Sequence, residues 1–225
     1  MRVAGGVEIV RVLDVDDEHI TEMGVQEVAP TPRAAEDFGH RLWVTHHAGA
    51  DAFGAGPPGW AGDGWIGTAE LPLRRHQCWG AFYAHERIMP YLQTSRDRGL
   101  LSPGDVARLE HLCELLVAGA WDDDRPPARI HGDLWSGNVL WSAEGVVLID
   151  PAAHGGHGVT DLAMLGLFGL PQLPRVEAAY AEAAGLDAHW RQLIPLHQLH
   201  PLLVHTVLFG GGYARQAMHI VNQLI

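Results

Sequence analysis

The order of apolar and polar positions along this chain predicts most of its elements. Residues 7–13 and 19–25 read as two short strands around an acidic turn at 14–18. Thr31-Pro32 starts a helix, a hydroxyl cap followed by proline at the first position. Ala35, Phe38 and Leu42 share one of its faces, and it runs to about His47. Residues 49–75 are rich in Gly and Pro, with Phe53, Trp60 and Trp65 spaced through them. They are expected as a long loop pinned to the core by its aromatics, or one that sets a Trp against a ligand. Across residues 76–98, Trp79, Phe82, Tyr83, Ile88 and Leu92 recur at helical spacing, and Pro90 should kink that helix or begin a new segment. Ser102-Pro103-Gly104-Asp105 starts another helix, whose buried face is Leu109, Leu112, Cys113, Leu116 and Val117. Asp122, Asp123 and Asp124, before Pro126-Pro127, read as a solvated turn rather than a metal site. Helices are also expected over 176–184, over 190–209 broken by Pro195 and Pro201, and over 213–224, with Thr160 capping a further one at Asp161. No internal repeat or linker interrupts the series.

The stretch 131–151 follows a different pattern. A polar loop, His131-Gly132-Asp133-Leu134-Trp135-Ser136-Gly137-Asn138, runs into an apolar strand, a turn at 142–145 and a second strand ending at Asp150. That is a hairpin with Asp133, Asn138 and Asp150 at one mouth. The spacing His-x-Asp-x-x-x-x-Asn matches the catalytic loop of kinases, where the Asp accepts the proton of the attacking hydroxyl and the Asn holds Mg²⁺. Asp150 then serves as the second metal-binding group. Mg²⁺ takes few protein oxygens beside phosphate and water, and one Asp with one Asn supplies them. The chemistry implied is phosphoryl transfer. The bland alternative is a hairpin whose polar loop residues cap their own backbone.

This unit resembles, without substitution, the catalytic loop of the fructosamine (ketosamine) kinases, relatives of the aminoglycoside and choline kinases. Ile149-Asp150-Pro151-Ala152, Gly156-His157 and Asp161-Leu162-Ala163-Met164 look like that family's metal-binding and following segments. Gly64-Trp65-Ile66-Gly67, Trp79 to Arg87, and Leu208-Phe209-Gly210-Gly211 fit as well. The resemblance implies an α+β, protein-kinase-like fold. Residues 1–27 would be a remnant of the N-lobe strands and hinge, and 28–225 the helical C-terminal lobe bearing the catalytic β-hairpin. It implies ATP-dependent phosphorylation of a sugar hydroxyl on a ketosamine, small or protein-bound, a deglycation chemistry using ATP and Mg²⁺. Asp133 would be catalytic, Asn138 and Asp150 would hold the metal, and Glu22 and Gly24 would meet the nucleotide through the linker backbone. Trp135 and Ser136 would line the acceptor side. His131 would organise the loop, and Asp161 would hold it by hydrogen bonds to its backbone. Arg87, where the family also carries arginine, is expected first as an ion-pair partner and second as a substrate contact.

Composition narrows the alternatives. A net charge of −12 argues against a nucleic-acid partner. The chain shows no signal peptide and no apolar run of membrane-spanning length, so a cytoplasmic location is expected. Two cysteines give no disulfide framework and should pack as small apolar residues. Fifteen histidines prompt a metalloenzyme reading through His154 with His157 and His197 with His200, but no His-Glu-x-x-His set appears.

All fifteen basic residues are arginines. A complete kinase-like enzyme grips the α and β phosphates with a lysine and covers them with a glycine-rich hairpin. Both should precede Val7, where only six residues stand, and Gly5-Gly6 alone is no phosphate loop. Three readings stay open: a truncated chain with impaired activity, an enzyme completed by another chain, or a non-catalytic pseudoenzyme. An acceptor of aminoglycoside or choline type is a further alternative. Two strands without sheet neighbours expose an edge, so self-association through them, or instability of the first thirty residues, is also expected.

Overall fold

The computed structural model describes residues 1–16 and 18–225. In chain order it contains β1 (Glu8–Ile9), β2 (Val12–Val15), β3 (Ile20–Glu22), α1 (Pro32–His47), β4 (Gly64–Ile66), β5 (Ala69–Leu71) and α2 (Trp79–Phe82). A π-helical segment, Tyr83–Ile88, leads into α3 (Met89–Asp97) and α4 (Pro103–Val117). Then come β6 (Ala128–Ile130), β7 (Val139–Ser142), β8 (Gly145–Leu148), β9 (His154–Gly156), α5 (Val159–Phe168), α6 (Leu173–Ala184), α7 (Ile194–Phe209) and α8 (Gly212–Leu224).

The first expected strand is divided. β1 pairs in parallel with β8 in the three-stranded sheet β1-β8-β7, whereas β2 pairs with β3 in a separate antiparallel ribbon. Val7 and Ile9 are buried against the hairpin, and the amide of Val10 donates to the Leu148 carbonyl at 2.9 Å. The ribbon itself leaves Val12, Leu13, Val15 and Ile20 exposed. Asp17, in the acidic turn expected at 14–18, lies outside the described residues. Beside it, Asp16 Oδ1 accepts the amides of Glu18 at 2.8 Å and His19 at 2.7 Å.

Two apolar clusters hold the molecule together. One joins the long central helices α3, α4, α7 and α8 through Leu92, Leu109, Leu112, Leu199 and Val221. The other packs α1, α5 and α6 behind the hairpin through Phe38, Leu42, Leu148, Leu162 and Val176. Helix α1 starts as its sequence requires, with Thr31 Oγ1 accepting the Ala34 amide at 3.2 Å. Its approach to α6 depends on Gly39, where a Cβ would strike the Val176 carbonyl.

Several local expectations are corrected. Residues 49–75 contain the β4–β5 hairpin, so the loop is not structureless. The helix expected over 76–98 begins at Trp79, widens through its π segment, and only then meets Pro90 in the first turn of α3. Pro201 sits inside α7 without breaking it. Thr160 does not cap α5; its hydroxyl meets His197 Nδ1 at 2.9 Å, while Gly158 precedes the helix. Asp122 is more than a solvated acid, since its Oδ1 accepts the Gly80 amide at 2.7 Å. Arg87 is fully buried but forms no ion pair among the described residues. It donates to the Pro72 and Glu86 carbonyls at 2.8 Å each and lies 4.5 Å from the Phe82 ring centroid. Its neighbour Glu86 pairs with His76 instead, at 2.9 Å. Cys113 is buried, and burial pushes its thiol up to about 12, but Cys78 is exposed.

Candidate active site

The hairpin mouth is assembled by backbone geometry before any side chain acts. β7 and β8 pair from Ser142 opposite Gly145 to Val139 opposite Leu148, and the amide of Ile149 then donates to the Asn138 carbonyl at 3.2 Å. The last loop residue and the strand end are therefore held side by side, with Asp150 next in line. Asp150 adopts φ +49, a left-handed conformation rarely taken by residues other than glycine. Such strain persists only where the surroundings impose it, and it gathers at functional sites. The Asp150 carboxylate is exposed and has no hydrogen-bond or ion-pair partner among the described residues.

Asp133 stands across the mouth. Asn138 Nδ2 donates to the Asp133 carbonyl at 2.8 Å and approaches its Oδ2 at 3.5 Å. This fixes the orientation of the amide and leaves Asn138 Oδ1 without a partner among the described residues. Burial, then the negative charge of Asp161, pushes the Asp133 carboxyl up to about 6; Asp150 adds to the rise and the Asn138 contact offsets part of it. Glu22, at the end of β3, is raised by partial burial and by the charge of Asp150. Asp133, Asp150 and Glu22 thus lie within one another's fields here. An unpaired carboxylate and a free amide oxygen are hard oxygen donors, a set that suits Mg²⁺.

Behind the loop lies its support. The buried Asp161 accepts the His131 amide at 2.7 Å on Oδ2 and the Gly132 amide at 3.0 Å on Oδ1. His46 Nε2 also meets Oδ2, at 2.9 Å, and His46 Nδ1 contacts the Tyr180 hydroxyl at 2.8 Å. Burial opposes the charge on Asp161, but the His46 contact and the loop amides outweigh it and hold the carboxyl below its ordinary value. His131 is buried, with its pKa lowered chiefly by that burial. Its Nε2–H donates to the Ile149 carbonyl at 2.8 Å, and its Nδ1 accepts the Asp133 amide at 3.3 Å. The ring thereby ties the loop to the end of β8.

The structure also brings in residues that sequence reasoning missed. A cavity of about 500 Å³ opens beside Asp133 and Trp135, lined further by Phe168, His205, Phe209 and Tyr213. Trp135 is exposed and its ring lies over Gly137, whose missing side chain makes the room. Ser136 opens the 3₁₀ turn Ser136–Asn138 and is not part of the cavity lining. Gly24, two residues past Glu22, is exposed with open space around it. His46 carries no local spacing signal, because its partners lie more than a hundred residues away. The segments 64–67 and 208–211 did carry a family likeness, and Ile66, Gly67, Leu208 and Phe209 all line the cavity.

The histidine pairs do not converge on one point. His154 Nδ1 meets the Ala152 carbonyl at 2.7 Å, His157 Nε2 meets Asp123 at 3.3 Å, and His200 Nδ1 meets the Arg87 carbonyl at 3.2 Å. Among the described residues, no three His, Cys, Asp or Glu side chains gather as a ready ligand set.

Comparison with known proteins supplies context for this geometry. A family model described as fructosamine kinase matches residues 23–225. A protein named probable ketoamine kinase from Synechocystis is 34% identical over 84% of this chain, which spans 61% of that relative's length. A crystal structure assigned as a fructosamine-3-kinase from Thermobifida fusca superposes with a TM-score of 0.88 at 51% identity, covering 96% of this chain and 73% of that one. An aminoglycoside phosphotransferase, in a thermostable mutant form, shares the fold alone, with a TM-score of 0.56 at 17% identity over 99% of this chain and 79% of its own. The architecture is therefore α+β and protein-kinase-like.

Proposed function

The chain belongs to the fructosamine kinase family, and from that premise we propose that it takes part in ATP-dependent phosphorylation of a sugar hydroxyl on a ketosamine. The observation that carries this reading is the convergence of Asp133, Asn138 and the unpartnered Asp150 at one hairpin mouth, with Asp133 also lining a cavity of about 500 Å³.

Asp133 orients the acceptor hydroxyl and receives its proton. Its raised pKa makes it a better base near neutral pH than an ordinary carboxylate, while still leaving it mostly ionised there. Asn138 Oδ1 and Asp150 are the residues that would hold Mg²⁺. Bound there, the ion would neutralise charge on the phosphate oxygens. Trp135 offers a ring face to the sugar. Glu22 ends β3 and Gly24 follows it, where a linker backbone would meet the adenine. Asp161 and His131 keep the loop in place, so the rate arises from positioning and charge stabilisation rather than a covalent intermediate.

The 225 residues include no lysine to grip the α and β phosphates, and we expect this chain alone to turn over far more slowly than a relative that extends beyond it. The same observation favours a second reading, a kinase-like protein that binds without transferring phosphate. Calorimetry of ATP with and without Mg²⁺, followed by product analysis with a fructosamine, an aminoglycoside and choline, tests both. Mg²⁺-dependent ATP binding that Asp150→Ala abolishes, with phosphate appearing only on the fructosamine, is the expected result. No Mg²⁺-dependent binding would rule out the catalytic reading. Two free cysteines suit a reducing compartment, and the reaction is proposed for the cytoplasm.

A further inference from the structure

The cavity beside Asp133 is chemically lopsided. Asp133 and Trp135 contribute to its lining together with a cluster of aromatic rings from elsewhere in the chain. His205 is the hub of that cluster, with ring centroids 4.9 Å from Phe168, 5.0 Å from Tyr213 and 5.4 Å from Phe209. The hub is held in place, since His205 Nδ1–H donates to the Pro201 carbonyl at 2.7 Å. Burial lowers the His205 pKa, so the ring is neutral at ordinary pH and its Nε2 can accept a hydrogen bond. No arginine appears in the lining, and the chain has no lysine. At about 500 Å³ the space falls in the range of pockets for drug-sized ligands, roughly 300–1,000 Å³, and exceeds what one sugar ring fills.

We propose that this cavity selects ketosamines whose amine carries an uncharged aromatic substituent, which packs among Phe168, Phe209 and Tyr213 while the sugar faces Asp133 and Trp135. The orientation rests on the phosphoryl-transfer reading of Asp133. The physics of selection has two parts. The secondary ammonium of a ketosamine is drawn to ring faces, and an aromatic substituent gains apolar burial and ring–ring contact. A substituent ending in a carboxylate, as in a ketosamine of an amino acid, would meet no arginine in the lining and would lie in the field of Asp133.

The test is calorimetric binding, without ATP, of the N-benzyl and N-carboxymethyl ketosamines of fructose, with benzylamine alone as a third ligand. The benzyl compound should bind at least about tenfold tighter than the carboxymethyl one, the scale of burying a small apolar group. Phe209→Ala and Tyr213→Ala should reduce that preference to within about threefold, on the same scale of lost burial. Phe209 is 69% exposed, so its replacement leaves the fold intact, and a thermal melt of each variant checks this. Equal affinities, tighter binding of the carboxymethyl compound, or a preference untouched by either substitution would overturn the selectivity. Turnover of the carboxymethyl ketosamine in those cases would leave the kinase reading standing. Benzylamine matching the benzyl ketosamine, with the same sensitivity to Phe209→Ala, would support the aromatic subsite and defeat the ketosamine reading. Absence of binding by all three would overturn the proposal.

Discussion

His46 Nε2 lies 2.9 Å from Asp161 Oδ2, with both side chains fully buried. The pair joins the end of α1 to the start of α5 and, through the other bonds of Asp161, to the backbone of His131 and Gly132. Removing one member of a buried hydrogen-bonded pair leaves the other unsatisfied, which typically costs roughly 1–3 kcal/mol and more when the group left behind is charged. His46→Ala is expected to destabilise by an amount of that order, read from denaturant midpoints, and His46→Gln, which keeps an N–H donor, should recover part of it. Because the Asp161 pKa is depressed in the folded state, its contribution is complete above the unfolded carboxylate value of about 4 and is lost as pH falls through the lower folded value. The wild-type protein should therefore lose stability in acid over a range where His46→Ala shows a shallower slope.

Asp133 titrates in the opposite sense. With its carboxyl at about 6, kcat/KM for the acceptor should fall tenfold per pH unit below that value and level off above it. A profile that stays flat down to pH 4.5 would remove Asp133 from the role of base.

The same shift makes Asp133 a liability to the fold. The folded state binds this proton more tightly than the unfolded chain, so the ionised group destabilises above about pH 6 and the cost vanishes as pH falls below about 4. Asp133→Asn should abolish phosphoryl transfer while leaving the melting midpoint at pH 7.5 unchanged or higher. Each kcal/mol gained would raise it by roughly 2–4 °C.

Gly137 is expected to control Trp135. A methyl group there would run into the indole ring, which must move aside. Gly137→Ala should weaken acceptor binding on the order of 1 kcal/mol, or roughly fivefold, through lost ring contact. ATP affinity and stability should be little changed, and the tryptophan emission should shift.

The β2–β3 ribbon is proposed to mediate association between copies through its exposed Val12, Val15 and Ile20. Sedimentation should show a concentration-dependent species that Val15→Lys with Ile20→Lys removes. Hydrogen exchange should divide the segment. In the monomer the Val10 amide, bonded to Leu148, should be protected, and those of the ribbon should not. Strong protection throughout residues 7–25 of the monomer would oppose this.

What sequence reading captured was local. The hairpin and the Thr31 start of α1 follow from alternation, turn residues and a hydroxyl cap, all within a few positions of one another. Elements set by distant partners escaped it. The strand over residues 7–13 divides because β8 claims one half, and no local signal marks that competition. Arg87 is expected as an ion-pair partner from a family likeness at its position, but carbonyls and a ring face satisfy part of it instead. Pro201 stays in its helix because α7 is packed along most of its length, a tertiary effect that outweighs propensity. Of the four clustered rings that line the cavity, His205, Phe209 and Tyr213 stand four residues apart in the chain, but Phe168 comes from α5 and nothing local marks their meeting.

The imidazole of His131 spans from the Asp133 amide to the Ile149 carbonyl and so sets the separation of the proposed acceptor side from the proposed metal side before any ligand arrives. A gap already fixed gives neither ligand anything to rearrange on behalf of the other. Mg²⁺ and acceptor should then bind with additive free energies. A thermodynamic cycle through His131→Ala should be the place where interdependence between them first emerges.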